Sequence, residues 1–382
     1  MTKLLIVFCR GAMDGLNVVV PAGDARYHDA RPTLAHTDAT LLPLDTTFGL
    51  HPSAPRLAER FAAGSVAIIP AAGFEGQSRS HFAAQALLEQ AQPTGGSGWI
   101  GRHLAATAGT TTQPFRAVSV GQAGVPPTLR GSADVLATTD ISTVRLGLLR
   151  PKGHGARLKG YAVLDSPLTP SATALGAAWP DPADAAGAGA HAALGVLERV
   201  VSRTSTTPPN QVPSADTTFG ADATGTSFGA ASAVLDAELG TEIVMVNLGG
   251  WDTHDNQGSG AEGALADLVG DLDAALSTFL DRHAGTGDGL CAVVMTEFGR
   301  RVAENSSGGT DHGRGSVAFV IGDRVAGGVK GQWPGLIDLD DGDVRAVNDL
   351  RAVQAELAAT VLGTPDVAAV VPGAGNPLGV VA

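Results

Sequence analysis

The sequence predicts one α/β domain with a doubly wound, mostly parallel sheet and helices on both faces. The first observation is a set of short apolar runs, such as residues 4–8 and 290–296, that are continuous rather than alternating. Continuous runs are typical of strands that are covered on both faces. The second observation is that amphipathic segments lie between these runs, and strands that alternate with helices favour a doubly wound sheet.

The predicted elements follow one another along most of the chain. The strands are residues 4–8, 66–70, 116–120, 242–248, 290–296 and 317–321. The helices are residues 56–63, 82–90 and 263–283, with a last helix that begins at Asn348 or Asp349. Apolar residues recur at helical spacing in these segments. In the second helix, Phe82, Ala86 and Leu87 would face the core.

Two stretches show less regular patterns. Residues 92–200 are rich in Gly, Pro and Thr, and part of this stretch is interpreted as an insertion or cap. Residues 203–229 form a polar Ser/Thr/Pro/Gly-rich tract that is typical of an exposed loop or linker. We therefore predict that residues 1–382 form a single domain, with residues 92–230 as an insertion, cap and loop region within it.

Composition excludes some classes of partner. The 382-residue chain has a net charge of −13, which argues against nucleic-acid binding and against adhesion to anionic membranes. No apolar run reaches the roughly 18–20 residues of a membrane span.

Cys9 and Cys291 lie in strand-like runs, so free buried thiols are expected. No export signal precedes residues 4–8, so the protein is expected in the cytoplasm, or outside it if a signal lies upstream.

Acids and imidazoles flanked by glycine lie beside the predicted strands. They are Asp14, Asp252, His254, Glu297, Asp311 and His312. Each motif alone has an ordinary explanation, because Asp-Gly is often a turn and Asp-x-His can lie in any surface loop. Side chains at the carboxyl ends of strands in an open α/β sheet nevertheless meet at one edge. Together they predict a metal site.

Arginines and serines accompany these motifs. Ser80 stands at the predicted start of a helix, where it would either cap the helix or act as a nucleophile, and Ser78 competes for that role. Arg79, Arg300 and Arg314 could hold phosphate or sulfate oxygens, or form ordinary surface ion pairs.

The chain resembles the bacterial proteins grouped as domain of unknown function 1501, within the alkaline phosphatase and sulfatase-like superfamily. The resemblance rests on motifs along nearly the whole chain, such as Ser78-Arg-Ser-His-Phe, Gly250-Trp-Asp-Thr-His, Thr296-Glu-Phe-Gly-Arg and Gly309-Thr-Asp-His-Gly-Arg-Gly. It implies an alkaline-phosphatase-like fold. It also implies Asp14 and the later acids and histidines as ligands for divalent metal ions, with Ser80 or Ser78 as nucleophile. Many relatives carry a twin-arginine export signal, so export is a further implication.

The function implied by this resemblance is metal-dependent hydrolysis or transfer of a phosphate or sulfate ester, through a serine or a metal-activated nucleophile. The metal would be one or two divalent ions. Zinc is the first expectation, and calcium, magnesium and manganese are the alternatives. The substrate would be a small-molecule or glycan-borne ester, held by Arg79, Arg300 and Arg314. One alternative is a non-catalytic member that binds a metal, glycan or protein partner in the same cleft. Another alternative is a mutase or isomerase of the same superfamily.

Overall fold

The protein is described by a computed structural model that covers residues 2–92, 96–109, 115–132, 134–139, 145–148, 161–164, 217–237, 240–285 and 289–382. Its strands in chain order are β1 (Lys3–Cys9), β2 (Val19–Pro21), β3 (Leu42–Pro43), β4 (Phe48–Leu50), β5 (Val66–Gly73), β6 (Ala117–Val120), β7 (Val135–Thr138), β8 (Arg145–Leu148), β9 (Tyr161–Leu164), β10 (Ile243–Leu248), β11 (Leu290–Met295), β12 (Ser316–Gly322), β13 (Gly328–Val329) and β14 (Asn348–Asp349). Within these ranges, nine strands form the main sheet, in the order β13-β5-β12-β11-β1-β10-β6-β7, and β14 also pairs with β5.

Helices cover both faces of this sheet. They are α1 (Gly15–Val18), α2 (Ala25–Ala30), α3 (Pro55–Ala62), α4 (His81–Gln90), α5 (Trp99–Ala106), α6 (Ala223–Asp236), α7 (Ala264–His283), α8 (Leu350–Glu356), which continues into a π-helical turn (Leu357–Val361), and α9 (Val367–Val370). Strand β1 shows the two-sided burial directly, because Leu5 and Val7 pack into one core cluster and Leu4 and Ile6 into another. Both clusters are close to fully buried, as expected for a central strand.

The predicted fold class is confirmed. Strands β1, β10, β11, β6 and β7 run parallel to their neighbours in this set. Strand β12 is the exception, since it pairs antiparallel with both β11 and β5. The sheet is therefore mostly parallel, and β5 points in the same direction as β1.

The polar tract over residues 203–229 was expected to be a loop, and this expectation is wrong for its last residues. Helix α6 begins at Ala223, where the side chain of Asp222 accepts a hydrogen bond from the amide of Gly225. Phe228 is buried and packs edge-on against Phe279 of α7 at 5.8 Å. The aromatic contact of Phe228 and the capping bond to Asp222 stabilise a helix here, although the tract is polar in composition. The remainder of the tract, residues 203–216, lies outside the described residues.

The predicted insertion over residues 92–230 contributes two strands to the main sheet, whereas β8 and β9 form a separate antiparallel pair. Strands β6 and β7 extend the sheet beyond β10. Most of the stretch between them and α6 lies outside the described residues, so the boundaries of an insertion stay a prediction.

The face that helix α4 presents to the core differs in part from the one predicted. Phe82 is 89% exposed, whereas Ala84 and Leu88 are buried and Leu87 packs against the core. The rotation follows from polar contacts, because His81 and Gln85, one turn apart, both bond to the buried carboxylate of Glu297. A pair at i and i+4 shares one face of a helix, and here that face turns toward Glu297.

Two expectations drawn from composition agree with the structure. Cys9 and Cys291 are both free and buried. Cys291 lies opposite Leu4 in the sheet, five residues along β1 from Cys9, so the two thiols are too far apart to bridge. Among the described residues, no helix combines the length and the apolar character needed to cross a membrane.

A buried ion pair ties the loop after β1 to the rest of the domain. Both carboxylate oxygens of Asp14 accept hydrogen bonds from Arg31, at 2.6 Å and 3.0 Å. Gln257 donates a further bond of 2.7 Å to the same carboxylate. Asp14 is 1% exposed and Arg31 is 0% exposed, so each charge depends on the other.

We expect Arg31→Met to lower the free energy of unfolding by about 3–5 kcal/mol, because it leaves Asp14 buried and unpaired. Urea unfolding followed by circular dichroism measures this loss. The control is Arg345→Met, which breaks an exposed pair with Asp338 and should cost less than about 1 kcal/mol. Equal stability of the two variants would contradict this account.

Candidate metal centre

The polar loops of the sequence meet at one edge of the sheet because of strand direction. The carboxyl ends of β1, β5, β10 and β11 lie at this edge. Strand β12 runs in the opposite direction, so its amino end lies there. Asp311 and His312 precede β12 rather than following a parallel strand. An antiparallel strand delivers this pair to the same edge.

Three histidines and one aspartate converge at this edge. The Nε2 atom of His312 lies 3.0 Å from Nε2 of His81 and 2.9 Å from Nε2 of His254. The carboxylate of Asp252 lies 3.1 Å from Nε2 of His254, 3.3 Å from that of His312 and 3.6 Å from that of His81. His81, Asp252 and His312 offer ligand atoms that all lie within 4.8 Å of one another.

The second nitrogen of each imidazole faces a hydrogen-bond acceptor. Nδ1 of His81 lies 2.7 Å from a carboxylate oxygen of Glu297, and Nδ1 of His312 lies 3.0 Å from the carbonyl oxygen of Arg79. Nδ1 of His254 lies 3.3 Å from a carboxylate oxygen of Asp311. These acceptors favour the tautomer with the proton on Nδ1. In that tautomer the Nε2 atoms of His81 and His312 face the carboxylate of Asp252, and the Nε2 atom of His254 lies beside that of His312.

This arrangement fits a bound transition-metal ion. Metal-binding histidines usually donate their other N–H to a carboxylate or a backbone carbonyl, as all three do here. Two nitrogen ligands of a tetrahedral zinc ion, each about 2.0–2.1 Å from it, would be about 3.3 Å apart. The nitrogen separations of 2.9 Å and 3.0 Å are close to that value, and small ring movements would make up the difference.

The cluster is open to solvent on one side. Asp252 is 46% exposed and His254 is 40% exposed at the side chain, so a small molecule can approach. The opposite side is apolar, since the buried ring of Phe298 lies 4.9 Å from the His81 ring and 5.1 Å from the His312 ring. Burial lowers the pKa of His312, which favours the neutral, metal-binding form of this ring.

Glu297 is an orienting residue rather than a member of the converging set. It is fully buried, and its carboxylate accepts bonds from His81, from Gln85 and from the amide of Gly11. Burial by itself would raise the pKa of Glu297, but these donors, led by Gln85, hold it below the ordinary value. Glu297 is therefore charged and fixes the ring of His81.

Arg300 holds the loops of the site together. Its guanidinium is buried and donates to the carbonyl oxygens of Gly11, Ala12, Trp251 and Thr310. One Nη2 donor also lies 2.6 Å from Asp252. Burial would raise the pKa of Asp252, but the bond from Arg300 and its charge keep it below its ordinary value.

Glycines allow these loops to approach closely. A Cβ atom on Gly309 would lie 2.3 Å from the carbonyl carbon of His254, and one on Gly313 would lie 2.4 Å from that of Arg300. Neither contact is possible for a larger residue without movement of the backbone. The glycines around Asp311 and His312 therefore bring this segment against the loops after β10 and β11.

Several residues predicted for the site lie elsewhere or are engaged by other groups. Asp14 is paired with Arg31 and Gln257, so its carboxylate is not directed at the histidine cluster. Asp311 bonds to Nδ1 of His254 and orients that ring. Both were expected to be ligands, and the structure gives each a different set of contacts.

The predicted substrate-binding arginines are also engaged. Arg79 pairs with Asp341 and Asp343, and Arg314 pairs with Asp340 and lies 3.7 Å from Asp343. Their charges are therefore matched by the acidic turn that precedes β14. What Arg79 supplies to the cluster is its carbonyl oxygen.

The predicted nucleophiles lie on the exposed loop before α4. Ser80 occupies the N-cap position, but its side chain makes no capping hydrogen bond. The amide of Ser80 instead donates to Oγ of Ser78. Ser80 directly precedes His81 in the chain, which keeps it near the cluster.

His81 was not predicted as a ligand. In the sequence it was considered only as a neighbour of Ser80, although its position could have indicated a metal ligand. It is a histidine at the start of a helix that follows a buried strand. Its Nδ1 partner, Glu297, lies 216 residues away, and only the folded chain brings the two together.

Comparison with known proteins gives one family and several distant structures. Residues 212–364 match the family described as protein of unknown function (DUF1501). No curated protein matches the chain. The phosphonoacetate hydrolase from Sinorhizobium meliloti 1021 is 14% identical with a TM-score of 0.32, over 79% of this chain and 57% of that chain. This chain thus spans less than two thirds of that hydrolase.

Two further structures show similarly low likeness. Ps i-CgsB, solved in complex with k-i-k-neocarrahexaose, is 11% identical with a TM-score of 0.38, over 98% of this chain and 75% of that chain. The alkaline phosphatase from the Antarctic bacterium TAB5 is 10% identical with a TM-score of 0.30, over 84% of this chain and 92% of that chain. The segment that matches the family of unknown function DUF1501, residues 212–364, includes Asp252, His254, Glu297 and His312, and this part of the chain is similar to that family.

Proposed function

We propose that the protein is a metal-dependent hydrolase that acts on a phosphate or sulfate ester at the His81, Asp252, His254 and His312 cluster. The observation that carries this proposal is the grouping of His81, Asp252 and His312, whose ligand atoms all lie within 4.8 Å of one another. Nδ1 of His81 and Nδ1 of His312 each face an acceptor, as is usual for metal-binding histidines. The exposed side of the cluster leaves room for a substrate.

The donor set favours zinc among the divalent ions. Imidazole nitrogen suits zinc and related transition metals, whereas calcium and magnesium prefer oxygen ligands. One ion is favoured over two, because the other predicted acids have other partners. Asp14 is paired with Arg31, Glu297 with His81 and Gln85, and Asp311 with His254 and Asn305.

The residues around the cluster have distinct proposed roles. A divalent ion held there would supply a Lewis acid for the ester oxygen and an activated water. Glu297, Asp311 and the Arg79 carbonyl would keep the imidazoles aligned. Arg300 keeps Asp252 ionised, and of the predicted substrate-binding arginines it is the one whose guanidinium touches the cluster.

Ser80 is the alternative source of the nucleophile. It precedes His81 and has an exposed side chain without a capping bond, so its hydroxyl is accessible. Among the described residues no hydrogen bond joins the hydroxyl of Ser80 to a base, which favours water as the attacking group.

A second candidate function is metal binding without catalysis. The observation that favours it is the pairing of Arg79 and Arg314 with acids of the turn at residues 340–343. Those arginines would otherwise bind substrate oxygens. Catalytic assays separate this candidate from the hydrolase.

The first test is metal content. Protein purified and equilibrated with zinc should contain about one ion per chain by plasma mass spectrometry, because one set of ligands converges. His312→Ala removes the central imidazole and should reduce the content to well below half. His28→Ala is the matched control, since His28 lies on α2 and pairs with Asp38, and it should retain the ion. A full zinc content in His312→Ala would overturn the proposed centre.

The second test is activity. Zinc-loaded protein should hydrolyse an aryl phosphate or aryl sulfate, and His312→Ala should lose this activity. If water is the nucleophile, Ser80→Ala and Ser78→Ala should retain most of it. Loss of turnover in Ser80→Ala, with zinc content unchanged, would instead assign the serine as nucleophile. A zinc-loaded protein that hydrolyses neither class of ester would favour the non-catalytic candidate.

The third test concerns the orienting carboxylate. Glu297→Gln keeps the shape of the side chain but removes the charge that faces His81, so zinc affinity should fall about 10–100-fold. Competition with a fluorescent chelator measures this change. Glu304→Gln is the control, because Glu304 accepts bonds from Thr33 and Leu34 rather than from a histidine. An affinity within about two-fold of wild type would contradict the orienting role.

A further inference from the structure

The guanidinium of Arg10, directly after β1, is held by hydrogen bonds on several sides. Its Nε and Nη2 atoms lie 2.9 Å and 2.7 Å from Oδ1 of Asn247, and Nη2 also lies 2.9 Å from a carboxylate oxygen of Glu89. Its Nη1 atom donates to Oε1 of Gln85 at 3.0 Å. The guanidinium carbon lies 4.1 Å from the centre of the Phe8 ring. These contacts fix the direction in which each donor of Arg10 points.

Gln85 connects this guanidinium to the proposed metal centre. Its Oε1 atom accepts the bond from Arg10, and its Nε2 atom donates to Oε1 of Glu297 at 2.9 Å. The same carboxylate oxygen lies 2.7 Å from Nδ1 of His81. A continuous series of hydrogen bonds therefore runs from Arg10 to one imidazole of the cluster.

The direction of this series follows from the chemistry of its two ends. A guanidinium offers only donors, and the carboxylate of Glu297 offers only acceptors. A primary amide has both, and its oxygen and nitrogen can exchange places by a rotation of 180°. With Arg10 on one side, the oxygen of Gln85 must face the guanidinium, and its NH₂ group must then face Glu297. The exchanged orientation would place the amide oxygen against a carboxylate oxygen.

We propose that Arg10 is a positioning residue for the metal centre, and that it acts through the amide of Gln85. The inference rests on the proposed centre at His81, Asp252, His254 and His312. By selecting the amide orientation, Arg10 keeps a donor on Glu297, and this donor holds the carboxylate against Nδ1 of His81. Arg10 thus aligns a metal-binding ring from three hydrogen bonds away.

The test measures zinc affinity by competition with a fluorescent chelator. Removal of Arg10 alone would leave Glu89, which is 3% exposed, buried without its charge partner. The test variant is therefore the double substitution Arg10→Met/Glu89→Leu, which replaces the whole pair with apolar side chains. Its affinity should fall about three- to ten-fold, less than the roughly 10–100-fold typical of a direct partner of a metal-binding histidine. Arg10→Lys keeps a donor beside Gln85 and should retain most of the affinity.

The matched control is Glu89→Gln. It removes the charge of the ion pair but keeps the size of the side chain, the guanidinium of Arg10 and the amide of Gln85. Its zinc affinity should stay within about two-fold of wild type. An equal loss in Glu89→Gln and in the double variant would show that the intact ion pair, and not the direction of the amide, supports the centre, and this would overturn the inference.

The route through Gln85 is tested in a second background. Gln85→Met removes the amide and should lower zinc affinity about ten-fold. When Arg10→Met/Glu89→Leu is added to Gln85→Met, affinity should fall no further, because the link is already absent. A further drop as large as that seen with Gln85 present would overturn the inference, as would wild-type affinity in Arg10→Met/Glu89→Leu itself.

The outcomes also separate this inference from the proposed hydrolase. If the protein binds zinc with this dependence on Arg10 but hydrolyses no ester, the hydrolase fails and the inference stands. If esters are hydrolysed but zinc affinity does not depend on Arg10, the inference fails and the hydrolase stands. If wild-type protein binds no zinc, the metal centre is refuted, and the inference is refuted with it.

Discussion

The buried guanidinium of Arg300 is the contact on which the geometry of the site depends. Its donors bond to carbonyl oxygens in the loop after β1, in the loop after β10 and in the segment before β12. No apolar contact could connect three irregular backbone segments in this way, because each exposes carbonyl groups that need a donor. Arginine suits this position because it carries five N–H donors in a rigid plane.

The same contact sets the charge of the cluster. One donor of Arg300 also reaches Asp252 and helps to hold its pKa below the ordinary value. Glu297 is likewise ionised despite burial, since Gln85, His81 and Gly11 all donate to it. Two carboxylates thus stay negative beside the imidazoles, and this is the electrostatic environment that a divalent cation favours. The centre is organised by the protein before any ligand arrives.

Sequence reasoning was accurate where local pattern decides structure. Continuous apolar runs identified six strands of the main sheet and their approximate ends. It failed where long-range contacts decide. Helix α6 was missed because its first residues belong to a tract rich in Ser, Thr and Gly. Phe82 was grouped with the apolar residues of its helix because the contacts of His81 and Gln85 with Glu297 are not visible in a helical periodicity.

The candidate site divides in the same manner. The sequence by itself determined that acids, imidazoles and arginines flank the strand ends, because residue type and strand pattern are local properties. Only the tertiary structure decided their contacts. Asp14 pairs with Arg31, Glu297 and Asp311 lie against Nδ1 of His81 and of His254, and His312 lies beside both of these histidines. The physical reason is that a ligand is defined by the direction of a lone pair, and that direction depends on hydrogen bonds between residues that are far apart in the chain.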